Sequence, residues 1–244
     1  MSFWDFVYVF GFPLAIATMV FSLFASFWTN HTFKKYSKVH SERGVTGQQA
    51  AEEILRINQL SGSFGNEQSV SVERVAGTLT DHYSPKEKVL RLSDSVFDNT
   101  SVAAIGVAAH ECGHAIQDSK GFIPNKIRSA LVPLATIGSR FGPYMAIIGI
   151  IITSYSVSGT IGNALSLLGI GLFAFAVVFY LVTLPVELDA SRRAIKILDT
   201  TNILTDDELA GAKKVLRAAA MTYVAAAAAS IITLLRLLAM RSRR

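Results

Sequence analysis

Thr100-Ser-Val-Ala-Ala-Ile-Gly-Val-Ala-Ala-His110-Glu111-Cys112-Gly113-His114-Ala-Ile-Gln-Asp118 is the stretch on which the reading of this chain turns. Apolar residues fill Val102 to Ala109, and Asn99, Thr100 and Ser101 supply capping candidates just before them. A helix from Thr100 to Asp118 is predicted. On it, His110 and His114 fall one turn apart on one face, so both imidazoles can address a single metal ion. Glu111 follows the first of them and can face a water on that metal. Two histidines and a carboxylate base form the H-E-x-x-H arrangement of zinc hydrolases. The competing reading is an ordinary amphipathic helix. It has to explain why ionisable groups crowd one turn beside an apolar run. Cys112, the single cysteine, leaves no intrachain disulfide and reads as a small buried residue.

Composition sets the class. The 244 residues are 51% hydrophobic and 17% charged, against about 25% charged in typical soluble domains. The mean hydropathy is +0.40. A mainly α membrane protein is expected, with about four transmembrane helices and a zincin-like α+β catalytic part carrying H-E-x-x-H on a helix. The first apolar segment, Phe3 to Trp28, holds Asp5 as its sole charge. It reads as a span rather than a secretory leader, because it lacks a basic start and an Ala-x-Ala site. The second runs from Pro133 to Ser154 with Arg140 near its start, and the third from Ala164 to Val186 without charge. The fourth, Ala218 to Met240, is Ala-rich and holds Arg236. It reads either as a span or as a helix within the bundle or at the interface.

The net charge of +5 does not point to nucleic acid, for which no motif is visible. Lys34, Lys35 and Lys38 follow the first apolar segment, and Arg241, Arg243 and Arg244 follow the last. Basic residues in those places anchor a protein to anionic headgroups, so the bilayer is the expected partner.

Five regions follow: a first span (1–29), a catalytic part (30–132), a hairpin of two spans (133–186), a polar helical segment (187–217) and the final helix with its basic tail (218–244). Within the second, Gly47 to Leu60 has helical spacing with Thr46 as N-cap, and Ser61-Gly-Ser-Phe-Gly65 breaks it. Ser69 to Ala76 and Val89 to Leu92 suit strands, with a turn at Ser84-Pro85-Lys86. Such strands either hold an extended peptide substrate by backbone pairing or merely cover the helix. Ser156 to Asn163 reads as a short connector between spans. If both neighbouring helices cross, residues 110–114 and 187–217 lie on one membrane side.

Catalytic zinc takes three protein ligands and keeps one position open. His82, Asp118, Glu187 and Asp189 are the candidates for the third. Asp118 continues the stripe of His114 and closes a tetrahedron poorly. His82 also reads as a surface histidine. Glu187 ends an apolar span, where an unpaired carboxylate is costly. Leu184-Pro185-Val186-Glu187-Leu188-Asp189-Ala190-Ser191-Arg192-Arg193-Ala194 reads as a new helix with Pro185 just before it. An interfacial cluster of ion pairs is the other reading of this charged stretch.

His110-Glu-Cys-Gly-His-Ala-Ile-Gln117, together with Leu184 to Ala194 and Asp81-His-Tyr-Ser-Pro-Lys-Glu-Lys-Val-Leu-Arg-Leu-Ser93, resembles the YugP-type bacterial membrane zinc metallopeptidases. More distantly the chain is similar to HtpX-like and CAAX prenyl endopeptidases, which carry a glutamate ligand in a Glu-x-x-Ala-Asp pattern. Glu187 and Ala190 fit that pattern; Ser191 stands where the wider group has aspartate, which leaves Asp189 to replace it. The resemblance implies a zinc endopeptidase and no particular substrate; a bacterial inner membrane is the expected location, and a peptide or membrane protein the expected substrate.

The expected mechanism binds Zn²⁺ with His110, His114 and Glu187 and uses Glu111 as general base. Tyr83, His82, Arg192 and Arg193 are candidate donors to the oxyanion, and Asp189 a candidate to orient a ligand histidine. Lysines beside the first span favour a cytoplasmic catalytic part, although four spans would then export the basic tail. Three rivals differ in signature. An intramembrane-cleaving metalloprotease would need a Leu-Asp-Gly ligand segment, which the sequence lacks. A non-catalytic metal scaffold has no need of Glu111. A transporter would carry ionisable groups in mid-span.

Overall fold

The computed structural model describes residues 3–62, 68–155 and 159–242. Its elements are α1 (Phe3–Tyr36), α2 (Gly47–Ile57), β1 (Ser71–Val75), β2 (His82–Ser84), β3 (Val89–Ser93), α3 (Val102–Ser119), α4 (Ile123–Tyr155), α5 (Gly159–Thr201) and α6 (Asp206–Ser242). α1, α4, α5 and α6 are each long and apolar enough to cross a bilayer. The chain divides into two compact units.

One unit takes the described residues up to Ala25, those from Lys126 to Leu184 and those from Thr222 onward. Its helices touch through small residues, which let backbones approach where no aqueous hydrophobic drive exists. A Cβ at Gly142 of α4 would lie 2.9 Å from the carbonyl oxygen of Gly169 on α5. One at Gly149 would lie 2.3 Å from the Ser166 nitrogen. α1 and α6 meet at Gly11, where a Cβ would stand 2.7 Å from Cγ of Arg236. The Arg236 guanidinium lies 5.9 Å from the Phe12 ring centre, so its stem crosses the α1 backbone. Outward, Phe12, Met19, Leu23, Tyr144, Ile148 and Leu168 remain exposed, as a lipid-facing surface requires.

The other unit holds residues 26–125 and 185–221, with a mixed sheet in the order β1-β3-β2. β3 lies in the centre, parallel to β1 and antiparallel to β2, with Tyr83 opposite Leu90. Both Leu90 and Leu92 are fully buried, joining Ile54, Val96, Ile105, Ile116 and Leu198 in one core. α2 begins with a capping box. Thr46 Oγ1 accepts from Gln49 N–H at 3.2 Å, and Gln49 Oε1 accepts from Thr46 N–H at 3.0 Å. α3 begins at Ser101, whose Oγ accepts from Ala104 N–H at 3.2 Å. Val102 to Ile105, Ala108, Ala109, Cys112, Ala115 and Ile116 are all buried. α3 is thus apolar nearly all round because it runs through the core.

Several boundaries differ from the sequence expectation. Pro185 does not precede a new helix; it lies inside α5, which runs unbroken from Gly159 to Thr201. Proline deletes a single N–H, and continuous packing on both sides of Pro185 outweighs that loss. For the same reason α4 passes through Pro133 and Pro143 and begins ten residues before the expected Pro133. α6 starts at Asp206 rather than Ala218, with Asp206, Asp207 and Glu208 complementing its N-terminal dipole. The expected helix from Gly47 to Leu60 ends at Ile57, and the expected strand from Ser69 to Ala76 is β1, Ser71–Val75. β2 was not expected: three residues carry too little periodicity to read. Of the expected connector, residues 156–158 lie outside the described residues and 159–163 are helical.

Candidate metal centre

α3 brings His110 and His114 to one face, as their spacing dictates, and the rings stand edge to face with centres 4.8 Å apart. α5 passes against this turn because Gly113 has no side chain. A Cβ there would lie 2.6 Å from the carbonyl oxygen of Ala190. That approach delivers Glu187, whose Oε2 is 3.2 Å from His110 Nε2 and 3.6 Å from His114 Nε2. One donor atom from each of the three residues lies within 4.8 Å of the others. Neighbouring ligands of a tetrahedral zinc, each bonded at ~2.1 Å, sit about 3.4 Å apart. The two His–Glu separations bracket that figure. The donor chemistry also suits zinc: two imidazole nitrogens and one carboxylate oxygen.

Glu187 is 2% exposed, so its carboxylate depends on these partners. Burial opposes charge on the His114 ring. Glu187 and Glu111, with a hydrogen bond from His114 Nδ1 to Gln117 Oε1, outweigh it and raise its proton affinity above the ordinary imidazole value. The same two carboxylates favour a dication in the cluster.

Glu111 points elsewhere on the same turn. Its Oε2 accepts the backbone N–H of Tyr83 at 3.1 Å, so β2 holds this carboxylate from the side. β2 is an edge strand, yet its outward N–H at Tyr83 is occupied by Glu111. The Tyr83 hydroxyl donates to Asp118 Oδ2 at 2.8 Å, where Lys88 Nζ also donates at 2.6 Å. Burial and the Asp118 charge keep that phenol protonated. Asp118 is thus committed to Tyr83 and Lys88. His82 is exposed, with Nδ1 2.9 Å from the Thr80 carbonyl oxygen.

The second half of the site was only partly anticipated. Asp189 hydrogen-bonds to neither His110 nor His114 directly. Its Oδ2 accepts from Arg193 Nε at 2.6 Å and from Gln117 Nε2 at 3.0 Å, and Gln117 Oε1 stands 3.1 Å from His114 Nδ1. Ser191 Oγ lies 3.1 Å from His110 Nδ1. Arg193 also faces the Phe122 ring at 5.9 Å, while Arg192 is exposed beside an apolar groove formed with Leu188, Ile195 and Leu216. The structure therefore gathers His110, His114 and Glu187 around one point with Glu111 adjoining, and sets Asp189 and Arg193 behind them. Gln117 and Ser191 are of residue types that do not by themselves mark a metal site. Their signal was positional: Gln117 is three residues after His114, and Ser191 four after Glu187, each on the ligand's own face. Cys112 is buried, and burial raises its thiol far above the ordinary range, so it is no nucleophile.

Among the described residues, four bilayer-length helices and a half-buried His₂Glu cluster beside a glutamate give the chain the form of a membrane metallohydrolase. The chain belongs to the family described as "Putative neutral zinc metallopeptidase", whose pattern matches residues 12–242. It is 42% identical over 223 residues to a Bacillus subtilis protein described as "Putative membrane protease YugP", covering 91% of this chain and 92% of that one. No solved structure matches. The resemblance carried by the H-E-x-x-H and Glu187 segments is borne out, and the chain is an integral membrane protein of this metallopeptidase family.

Proposed function

We propose that this protein is a membrane-embedded zinc endopeptidase in which His110, His114 and Glu187 hold the ion and Glu111 is the general base. The observation that carries this reading is the arrival of Glu187, 77 residues from His110, at ligand distance from both imidazoles. A chance H-E-x-x-H does not recruit a buried carboxylate from a distant helix.

Zinc supplies Lewis acidity, making a water nucleophilic near neutral pH and polarising the scissile carbonyl. The chain does the rest. Glu111 takes the proton of the attacking water on a carboxylate oxygen and passes it to the leaving amine. The Tyr83 N–H fixes the orientation of that carboxylate beside the cluster. Gln117 and Ser191 hold the histidine rings from their Nδ1 sides, leaving both Nε2 atoms facing Glu187. Of the candidate donors to the oxyanion, the Tyr83 hydroxyl is spent on Asp118 and Arg193 on Asp189, which leaves Arg192 and His82. An extended peptide pairing with β2 would displace Glu111 from the Tyr83 N–H, so β2 serves first as the support of the base.

The substrate is a peptide or membrane protein met at the bilayer surface. The bacterial inner membrane is the proposed site, with the catalytic part cytoplasmic on the evidence of Lys34, Lys35 and Lys38 after the first span. Introducing a cysteine at exposed Lys214 and labelling it with an impermeant reagent in inverted and right-side-out vesicles tests that orientation. The activity is tested by purifying the full chain in detergent, measuring zinc, and assaying cleavage of casein against a Glu111→Gln control. Cleavage by the wild type and none by the variant at equal zinc content is the expected result. Equal cleavage by both removes Glu111 from the mechanism.

A further inference from the structure

We propose that Gln117 is the positioning residue of this metal centre, fixing the His114 tautomer that presents Nε2 to the ion while tying the Glu187 segment of α5 to α3. The inference rests on the metal-site reading above and deepens it. Gln117 is fully buried. A buried amide has to satisfy both ends, and its two ends are chemically different. Its Nε2 lies 2.7 Å from the Val186 carbonyl oxygen and 3.0 Å from Asp189 Oδ2. Both of those partners only accept, so they demand the NH₂ group on that side. The opposite end is therefore the carbonyl oxygen, and it faces His114 Nδ1 at 3.1 Å. An oxygen there accepts, so Nδ1 carries the hydrogen and Nε2 carries the lone pair that faces Glu187.

Arg193 Nε donates to Asp189 Oδ2 at 2.6 Å, and the same oxygen accepts from Gln117 Nε2 at 3.0 Å. Asp189 and Val186 orient Gln117, and Gln117 orients His114. The same amide also reaches Val186, the residue before Glu187. One side chain on α3 thus holds a ligand of its own helix and the backbone beside a ligand of α5. Ser191 makes a separate and simpler contact with His110.

The experiment measures zinc dissociation constants by chelator competition on full-length protein in detergent, together with the melting temperature of the metal-free form. Gln117→Met keeps the shape and removes both hydrogen-bonding ends. It is expected to weaken zinc binding about 10–100-fold. Unchanged zinc affinity, with only the metal-free melting temperature lowered, overturns the proposal and leaves Gln117 a merely structural residue. Asp189→Ala, at a more accessible position, covers the case in which Gln117→Met fails to fold. It is expected to weaken zinc binding several-fold, and no change overturns the relay. In the double variant, Asp189→Ala should add nothing to Gln117→Met; full additivity would show that Asp189 acts by another route. Absence of zinc from the wild-type protein would instead overturn the metal-centre reading itself.

Discussion

Gly113 and Ala190 meet backbone to backbone: a Cβ on the first would lie 2.6 Å from the carbonyl oxygen of the second. This contact sets the gap between the helix carrying both histidines and the helix carrying Glu187. Gly113→Ala forces α3 and α5 apart at the turn that holds the cluster. The variant is expected to lose about 1–3 kcal/mol of stability through overpacking. It should also lose zinc, because the His–Glu separations open. Metal analysis alongside thermal unfolding checks both, and full zinc occupancy in a folded variant would show that α5 can shift without disturbing the ligands.

Glu187→Ala removes the one buried carboxylate shared by the two imidazoles. With two protein ligands left, zinc should be lost on dialysis against a weak chelator that the wild type resists. Elemental analysis gives the stoichiometry, and an undiminished value would disqualify Glu187 as a ligand.

The His114 ring has its proton affinity raised above the ordinary value of 6.5: burial lowers it, and Glu187, Glu111 and Gln117 raise it by more. In metal-free protein the folded form therefore binds this proton more tightly than the unfolded chain. The resulting stability is fully present below pH 6.5 and disappears as pH rises through the raised value. Zinc competes for the same nitrogens, so its affinity should climb over that same window. Melting temperatures in chelator and zinc affinities across the window should move in opposite directions. Parallel movement would place the controlling proton on another group.

Cys112 sits in the turn of the motif, yet burial holds its thiol protonated and out of reach. Native protein should resist a thiol reagent that labels it readily after unfolding. Cys112→Ala should keep hydrolysis and cost about 1 kcal/mol of stability. Rapid labelling of the folded protein would contradict the burial, and loss of cleavage in a stable variant would give Cys112 a chemical role.

Much of this protein is written locally. The α3 helix follows from Ser101 as a cap and from an apolar run long enough to be buried on every side. The histidine pair follows from a spacing of four residues on one turn. The spans follow from length and hydropathy, which no tertiary contact has to supply. Thr46 and Gln49 announce the start of α2 because both partners of a capping box lie within one turn.

Other features depend on contacts that spacing cannot express. Among His82, Asp118, Glu187 and Asp189, all chemically fit to bind zinc, Glu187 is the one that the approach of α5 at Gly113 brings beside both histidines. Asp118 is taken by Tyr83 and Lys88, and Asp189 by Arg193 and Gln117. Pro185 reads as a boundary because its own chemistry favours one, and packing on both sides carries α5 through it. The local sequence determined which groups are able to grip a metal. The tertiary structure decided which of them stand together and what holds them there, because donors 77 residues apart become neighbours only when two helices touch.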